Sequence, residues 1–155
     1  MPTLPWRAVQ PAHRSTRSSG PNVVVMASRF ELKRLRDVPM FLLDSVRIRR
    51  QVLRANGALG VSLIAHPLRR QFLTLSAWSD RQAVNGLVRT EPHRTVMQRH
   101  RLAMAEATFT FWEVDHADLP IGWDDARRHL DEDRMTGPRA QARGHRVVAD
   151  TPVRN

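Results

Sequence analysis

The pattern of apolar and polar residues divides the middle of the chain into six segments. Four segments have the alternating or β-branched composition typical of strands, and two repeat apolar residues at the spacing of a helix. The strands are predicted at about residues 23–32, 61–65, 71–78 and 107–114. The order strand, helix, strand, strand, helix, strand predicts an α+β fold, a ferredoxin-like βαββαβ domain with an antiparallel sheet.

The helix boundaries are predicted from capping residues and proline. Asp37 is the expected N-cap of the first helix, and the spacing of Ser79 and Gln82 is typical of a capping box at the start of the second. Pro92 interrupts the second helix, and Thr90 is placed to cap a new start. We therefore expect the second helix in two pieces, at about residues 80–89 and 91–104.

The segments around this core are predicted to be tails. Residues 1–21 are rich in Pro, Ser and Arg, and their four prolines predict a flexible arm without regular structure. The domain proper spans residues 22–118, and residues 119–130 predict a short helical extension. Residues 131–155 are polar and aperiodic, so we expect them to be disordered.

Both faces of the predicted sheet are poor in charged residues. In strands 71–78 and 107–114, neither set of alternating side chains has the charges of a solvated surface. Two helices cover only one face of a four-stranded sheet, so the other needs a second cover. A second copy of the sheet is the simplest cover, which predicts a homodimer.

The composition excludes some classes of chemistry and weakens others. The chain has 155 residues and no cysteine, which excludes disulfides and thiolate sites. The formal charge of +10 is spread along the chain, and no nucleic-acid-binding motif is present, so no specific nucleic-acid partner is expected. No apolar run approaches the roughly 18 residues of a membrane span, and the cytoplasm is the expected compartment.

Two predicted strands repeat a pattern of two hydroxyls and an indole. This composition favours a pocket for a flat organic molecule, with the indoles as stacking walls and the hydroxyls fixing its orientation. The alternative is ordinary strand composition, because Thr and Trp are strand formers. The two patterns are Thr74-x-Ser76-x-Trp78 and Thr108-x-Thr110-x-Trp112.

The second helix carries His93 and His100, which point within about 20° of the same direction. Met97 shares that face, so both imidazoles are expected to face the sheet or a pocket rim. His93 is the candidate catalytic base or haem ligand, and the alternative is two histidines bonded to backbone. Arg89 precedes the helix break and would bind a carboxylate. The spacing does not suit zinc, and no metal site is predicted.

The run from Thr74 to Ala83, continued from Val88 to Arg101, resembles the central motif of the dimeric α/β-barrel superfamily, which includes the antibiotic-biosynthesis monooxygenases. An uncharacterised branch near spheroidene monooxygenase has the same pattern of a Thr-x-Ser-x-Trp strand and a His- and Arg-rich helix. The resemblance covers about residues 22–115 and implies a pocket between helix and sheet. Trp78 and His93 fall on the family's Trp and His positions. The branch continues into a Trp-Phe pair that this chain lacks.

The resemblance implies a cofactor-independent monooxygenase acting on a small aromatic or polyketide-like compound. Trp78 and Trp112 would stack on the substrate, His93 would act as base, and Arg89 would anchor an acidic group. Two alternatives stay open. The chain is a non-catalytic dimeric binding or scaffold domain, or it is a haem protein.

Overall fold

The computed structural model of the protein describes residues 3–9 and 22–136. These residues form an antiparallel sheet with helices on both of its faces. The strands are β1 (Thr3–Ala8), β2 (Asn22–Leu32), β3 (Ala58–His66), β4 (Gln71–Trp78) and β5 (Met104–Asp115). The helices are α1 (Val38–Val52), α2 (Arg81–Arg89), α3 (His93–His100) and α4 (Trp123–Thr136).

The strands lie in the order β1-β3-β4-β2-β5, and every neighbouring pair is antiparallel. The four predicted strands are β2 to β5, and their order in the sheet is that of a ferredoxin-like domain. The predicted α+β class and βαββαβ order are therefore confirmed. Strands β3 and β5 are longer than the apolar pattern indicated, because their backbone pairing with β4 and β2 continues to Ala58 and Met104.

Helices α1, α2 and α3 cover one face of the sheet, which we call the helix face. Because side chains alternate along a strand, the even-numbered residues of β4 point toward these helices. Phe72 and Trp78 are completely buried there, and Phe41 of α1 packs on Phe72 with ring centroids 4.6 Å apart. Burial of each such side chain contributes about 1.5–3 kcal/mol to the free energy of unfolding.

The opposite face is covered by α4 of the same chain, and we call it the α4 face. Ala126 and Leu130 of α4 are fully buried against a cluster that includes Val25, Leu75 and Ala77. The predicted homodimer required that this face had no cover within the chain. That assumption is wrong, because the predicted helical extension folds back onto the sheet.

The amino-terminal segment was predicted to be irregular, and this is wrong for Thr3–Ala8. These residues form strand β1 at the edge of the sheet, paired with β3. Pro5 is tolerated because the register shifts between Leu4 and Arg7, and an edge strand exposes one side to solvent. Residues 10–21 of the predicted arm lie outside the described residues.

Helix α4 begins within the predicted extension but continues to Thr136, beyond the predicted end at residue 130. The expected disorder from residue 131 is therefore wrong for residues 131–136, and residues 137–155 lie outside the described part of the chain. Polar residues end the apolar pattern at Leu130, but a helix can continue on intrahelical hydrogen bonds with its side chains in water. Within the described residues, no helix is long and apolar enough to cross a membrane.

The predicted break between α2 and α3 is present, but the capping groups differ from those predicted. Helix α2 is capped by Asp80, whose side chain accepts from the backbone N–H of Ala83 at 2.8 Å, and not by the predicted Ser79. Asp37 precedes α1 without a side-chain capping bond. Thr90 donates back to the Gly86 carbonyl at 2.7 Å and does not cap α3. Local hydrogen bonds of neighbouring polar residues compete, so spacing alone did not identify the cap.

Candidate functional site

A cavity of about 90 Å³ lies on the helix face, between the sheet and helices α1, α2 and α3. Its floor is formed by strands β2, β3 and β4, and its walls by side chains of the three helices. The lining is mostly apolar, with a few polar groups. We call it the helix-face cavity, and its polar lining residues are Ser28, Ser45, Arg49, Ser62, Thr74, Ser76, Trp78 and His93.

Five of the predicted site residues line this cavity and four do not. The strand pairing explains why three of the five come together, since alternation in β4 places them on the helix face. The helix break explains why His93 and Met97 join them, because the chain resumes as α3 over the same part of the sheet. The five are Thr74, Ser76, Trp78, His93 and Met97.

The floor of the cavity contains hydroxyls that keep some donor capacity. Ser28 of β2 is directly opposite Thr74 of β4, and their hydroxyls are hydrogen-bonded to each other. Ser76 accepts from the indole Nε1 of Trp78 at 2.9 Å. A hydroxyl has one hydrogen and two lone pairs, so Ser76 still has a hydrogen to donate. The indole is thereby fixed as a rigid apolar wall.

The backbone of His93 is held at the cavity by Gln51, and its side chain is half-buried. The amide of Gln51 donates to the carbonyls of Thr90 and Glu91 at 3.3 and 3.1 Å and accepts from the His93 backbone N–H at 3.2 Å. The side chain of one residue on α1 therefore fixes the whole connection between α2 and α3.

The imidazole of His93 has the properties of a neutral base. Burial lowers the pKa of His93 below its usual value, and an interaction with the Val88 carbonyl opposes this only in part. The ring nitrogen Nδ1 is buried without a hydrogen-bond partner among the described residues. A neutral imidazole with an unpaired nitrogen in a cavity can accept a proton or a hydrogen bond from a ligand.

Thr110 and Trp112 lie on the other side of the sheet, so the prediction that Trp78 and Trp112 flank one ligand is wrong. Strand β5 pairs Thr110 with Ala27 and Trp112 with Val25, which are residues of the α4 face. Trp112 stacks on His129 of α4, with ring centroids 4.1 Å apart and planes 16° apart. Alternation relates residues within one strand, whereas the pairing register between strands decides which sets share a face.

His100 points away from the cavity and toward α1. Its Nε2 lies 2.8 Å from Oδ2 of Asp44, a carboxylate with no exposed surface. Arg47 and Arg99 also donate to Asp44, at 2.8 and 2.9 Å. Although burial opposes ionisation of Asp44, the hydrogen bonds from His100, Arg47 and Arg99 hold the pKa of Asp44 below its usual value. The bonds from Arg99 and His100 to Asp44 therefore join α3 to α1.

The predicted anion anchor, Arg89, is exposed at the end of α2 and does not line the cavity. The cavity arginine is Arg49 of α1, which was not predicted. Phe41, Ile48 and Arg49 occupy positions i, i+7 and i+8, which all lie on the inner face of an amphipathic helix. An arginine at an inward position of an apolar stripe was therefore the sequence feature that could have identified it.

The two histidines do not fit the haem alternative. His100 is bonded to Asp44, and His93 faces a cavity of about 90 Å³, which is too small for a macrocycle of four pyrrole rings. Among the described residues, no group of three or more His, Asp or Glu side chains is arranged to hold a metal ion.

The comparisons with known proteins agree with the fold. The family model described as a domain of unknown function, DUF3291, matches residues 48–155. No curated protein matches the sequence.

Solved structures with this fold include three proteins at low sequence identity. A provisionally named antibiotic-biosynthesis monooxygenase from Deinococcus radiodurans has a TM-score of 0.55 and 13% identity, over 64% of this chain and 99% of that one. A mutant of SnoaB, a cofactor-independent oxygenase from Streptomyces nogalater, has a TM-score of 0.51 and 14% identity, over 64% and 98%. A provisionally named antibiotic-biosynthesis monooxygenase from Nitrosomonas europaea has a TM-score of 0.52 and 16% identity, over 57% and 95%. These similarities confirm the predicted fold.

Proposed function

For a chain that belongs to the DUF3291 family of domains of unknown function, we propose that the helix-face cavity binds a small aromatic molecule and that His93 acts on it as a base. The observation that carries the proposal is the buried Nδ1 of His93, which has no partner among the described residues and lies in a cavity that also contains the Trp78 indole and free hydroxyl donors. A buried polar atom without a partner costs free energy, which a ligand donor would recover.

The reaction that these groups support is oxygenation without a cofactor. An acidic phenol, or its keto form, loses a proton to His93 and becomes an anion with negative charge on a ring carbon. That carbon donates its electron pair to O₂, and return of the proton from His93 gives a hydroperoxide. Breaking the O–O bond with loss of the remaining C–H proton leaves a carbonyl and water. The substrate supplies all the electrons, so no further reductant enters.

The size of the cavity limits the substrate. Sites for drug-sized molecules have volumes of about 300–1,000 Å³, whereas the helix-face cavity has about 90 Å³. A polyketide-sized compound would need the connection held by Gln51 to move away from the sheet. A substrate with a single ring requires the smallest movement of the helices away from the sheet.

The same volume supports a second candidate, a binding or scaffold domain without catalysis. In that case the side chains fill the space between helices and sheet, and His93 contributes only to packing. A half-buried histidine in a mostly apolar environment is compatible with this role, since neutral imidazole is tolerated at such positions.

Oxygen uptake with a size series of compounds separates the two candidates. Catechol, 1-naphthol and anthrone give anions that react with oxygen and increase in size. If the proposal is right, at least one is turned over, and His93→Ala lowers that rate about 100-fold or more. His116→Ala is the control, because His116 is exposed in the turn after β5. An unchanged rate in His93→Ala removes His93 from the mechanism.

Mass spectrometry of whatever co-purifies with the protein provides an independent test. A reproducible aromatic mass that is lost in His93→Ala supports the site. If no mass is found and none of the three compounds is turned over, the scaffold role is the better account.

The homodimer stays a proposal, which now depends on the family resemblance alone. Helix α4 covers the sheet face that was expected to pair. Light scattering at micromolar concentration tests it, and a stable monomer would refute it.

A further inference from the structure

Arg49 is the charged residue of the helix-face cavity. It lies on the inner side of α1, and the other lining side chains are apolar, hydroxyl-bearing, indole or imidazole groups. His93 is the remaining titratable group in the lining, and burial lowers its pKa, which favours the neutral form. Guanidinium groups keep their proton in proteins. Among the described residues of the lining, no carboxylate neutralises the charge of Arg49.

The guanidinium has few partners in the described residues. Its buried Nε has no hydrogen bond to any residue that the structure describes, and its Nη2 makes one long contact, 3.5 Å, to the carbonyl of Pro5 in β1. No described carboxylate lies within 4.0 Å of it. Arg47 and Arg99 provide the contrast, because both are more exposed and both are paired with Asp44.

The surroundings of Arg49 make this lack of a partner costly. Burial and the nearby positive charge of Arg7 both lower the pKa of Arg49, so both act against its charged form. A partly buried cation without a counter-ion is unfavourable, since transfer of a charge out of water is compensated only by pairing and hydrogen bonds. An anion in the cavity would supply both.

We propose that the ligand of the helix-face cavity is a small aromatic anion whose charged oxygen binds Arg49. This inference depends on the proposed function, because it assigns the class of ligand to the same site. The planar guanidinium fits a carboxylate with two parallel hydrogen bonds, and it also stabilises a phenolate. In the oxygenation proposed above, Arg49 would stabilise the anion formed when His93 takes the proton.

A pair of probes and one further compound test the charge preference of the wild-type protein in low-salt buffer. Benzoate and benzamide have nearly the same shape and differ in charge, and their affinities are compared by NMR titration. The further compound is 4-nitrophenol, whose anion is yellow, so absorbance reports whether the bound form is ionised. We expect benzoate to bind about tenfold or more tightly than benzamide, or nitrophenol to bind as the anion. The first result indicates a carboxylate ligand and the second a phenolate.

Variants at two adjacent positions assign the preference to Arg49. Arg49→Met keeps much of the side-chain volume and should remove the preference, whereas Arg49→Lys should retain part of it. Arg50→Met is the control, because Arg50 is exposed in an outer groove beside Gly86 and Pro92. If Arg49→Met does not fold, the wild-type preference and the Lys variant still decide the question.

The outcomes separate this inference from the proposed function. If benzamide binds as well as benzoate, and nitrophenol binds in its neutral form, the cavity is a ligand site but not an anion site. If Arg49→Met keeps the full preference, another group binds the anion and the assignment to Arg49 is overturned. If no probe binds, the cavity is not a small-molecule site, and the proposed function fails together with the inference.

Discussion

Replacing Asp44 with asparagine should destabilise the protein more than any surface substitution of the same kind. Asp44 has no exposed surface, and its two oxygens accept from Arg47, Arg99 and His100. Asparagine keeps the shape but replaces one oxygen with a donor, so a donor faces a donor on that side. A change of tautomer would let His100 accept from the amide, but Arg99 would still lose its acceptor.

The size of the effect follows from the exposure of each partner. The bond to His100, whose side chain is 5% exposed, is a buried bond to a charged group and contributes about 1.5–3 kcal/mol. The side chains of Arg47 and Arg99 are 50% and 47% exposed, so each contributes at most about 1 kcal/mol. We expect Asp44→Asn to lower the free energy of unfolding by about 3 kcal/mol. For a chain of this length that is a Tm decrease of roughly 6–12 °C.

Urea denaturation at pH 7, followed by circular dichroism, measures this loss. Asp133→Asn is the matched control, because Asp133 is exposed on α4 and forms no ion pair among the described residues. Its effect should stay within about 0.5 kcal/mol. If Asp44→Asn lowers the free energy of unfolding no more than Asp133→Asn does, the buried carboxylate does not hold α1 and α3 together.

The same network predicts a dependence on pH. Because its hydrogen bonds hold the pKa of Asp44 below the unfolded value, the native chain binds fewer protons than the unfolded chain in acid. The stabilisation is complete above about pH 4 and is lost as the pH falls through the folded-state pKa. The difference between wild type and Asp44→Asn should therefore shrink on acidification. A difference that stays constant to pH 3 would contradict this assignment.

Three further substitutions or titrations test separate features. Gly60→Ala should displace Trp6, since an added Cβ would lie 2.2 Å from the Trp6 indole, and the resulting loss of β1 from the sheet should lower Tm. Gly122→Ala is the control, because the added Cβ meets no described atom within 4 Å. Gly86→Ala in α2 should raise the free energy of unfolding by about 0.5–1 kcal/mol, because the added methyl meets nothing and alanine favours helix. NMR titration of His93 should give a midpoint below about 6.5, since burial lowers its pKa, and a midpoint above about 7 would mean that the imidazole is mostly protonated at pH 7 and not a neutral base.

The amino-acid sequence alone determined the order of the strands and helices between residues 22 and 118, and the grouping of residues within each of those strands. These properties depend on local backbone geometry, which repeats every two residues in a strand and every 3.6 in a helix. Alternation by itself therefore assigned Thr74, Ser76 and Trp78 to one face of their strand. Pro92 predicted the break in the second helix for an equally local reason, the missing backbone N–H.

Only the tertiary structure decided which groups meet. The pairing of β5 with β2 places Trp112 on the α4 face. Trp78 lies on the opposite face, although β4 and β5 have the same sequence pattern. The edge strand β1 and helix α4 were missed or underestimated because long-range pairing and packing stabilise them, not local propensity. The sequence places Arg49 at an inward position of the α1 stripe, but only the packing of α1 against the sheet makes it part of a cavity lining. Its role depends on removal from water and on absent partners, and a linear sequence specifies neither.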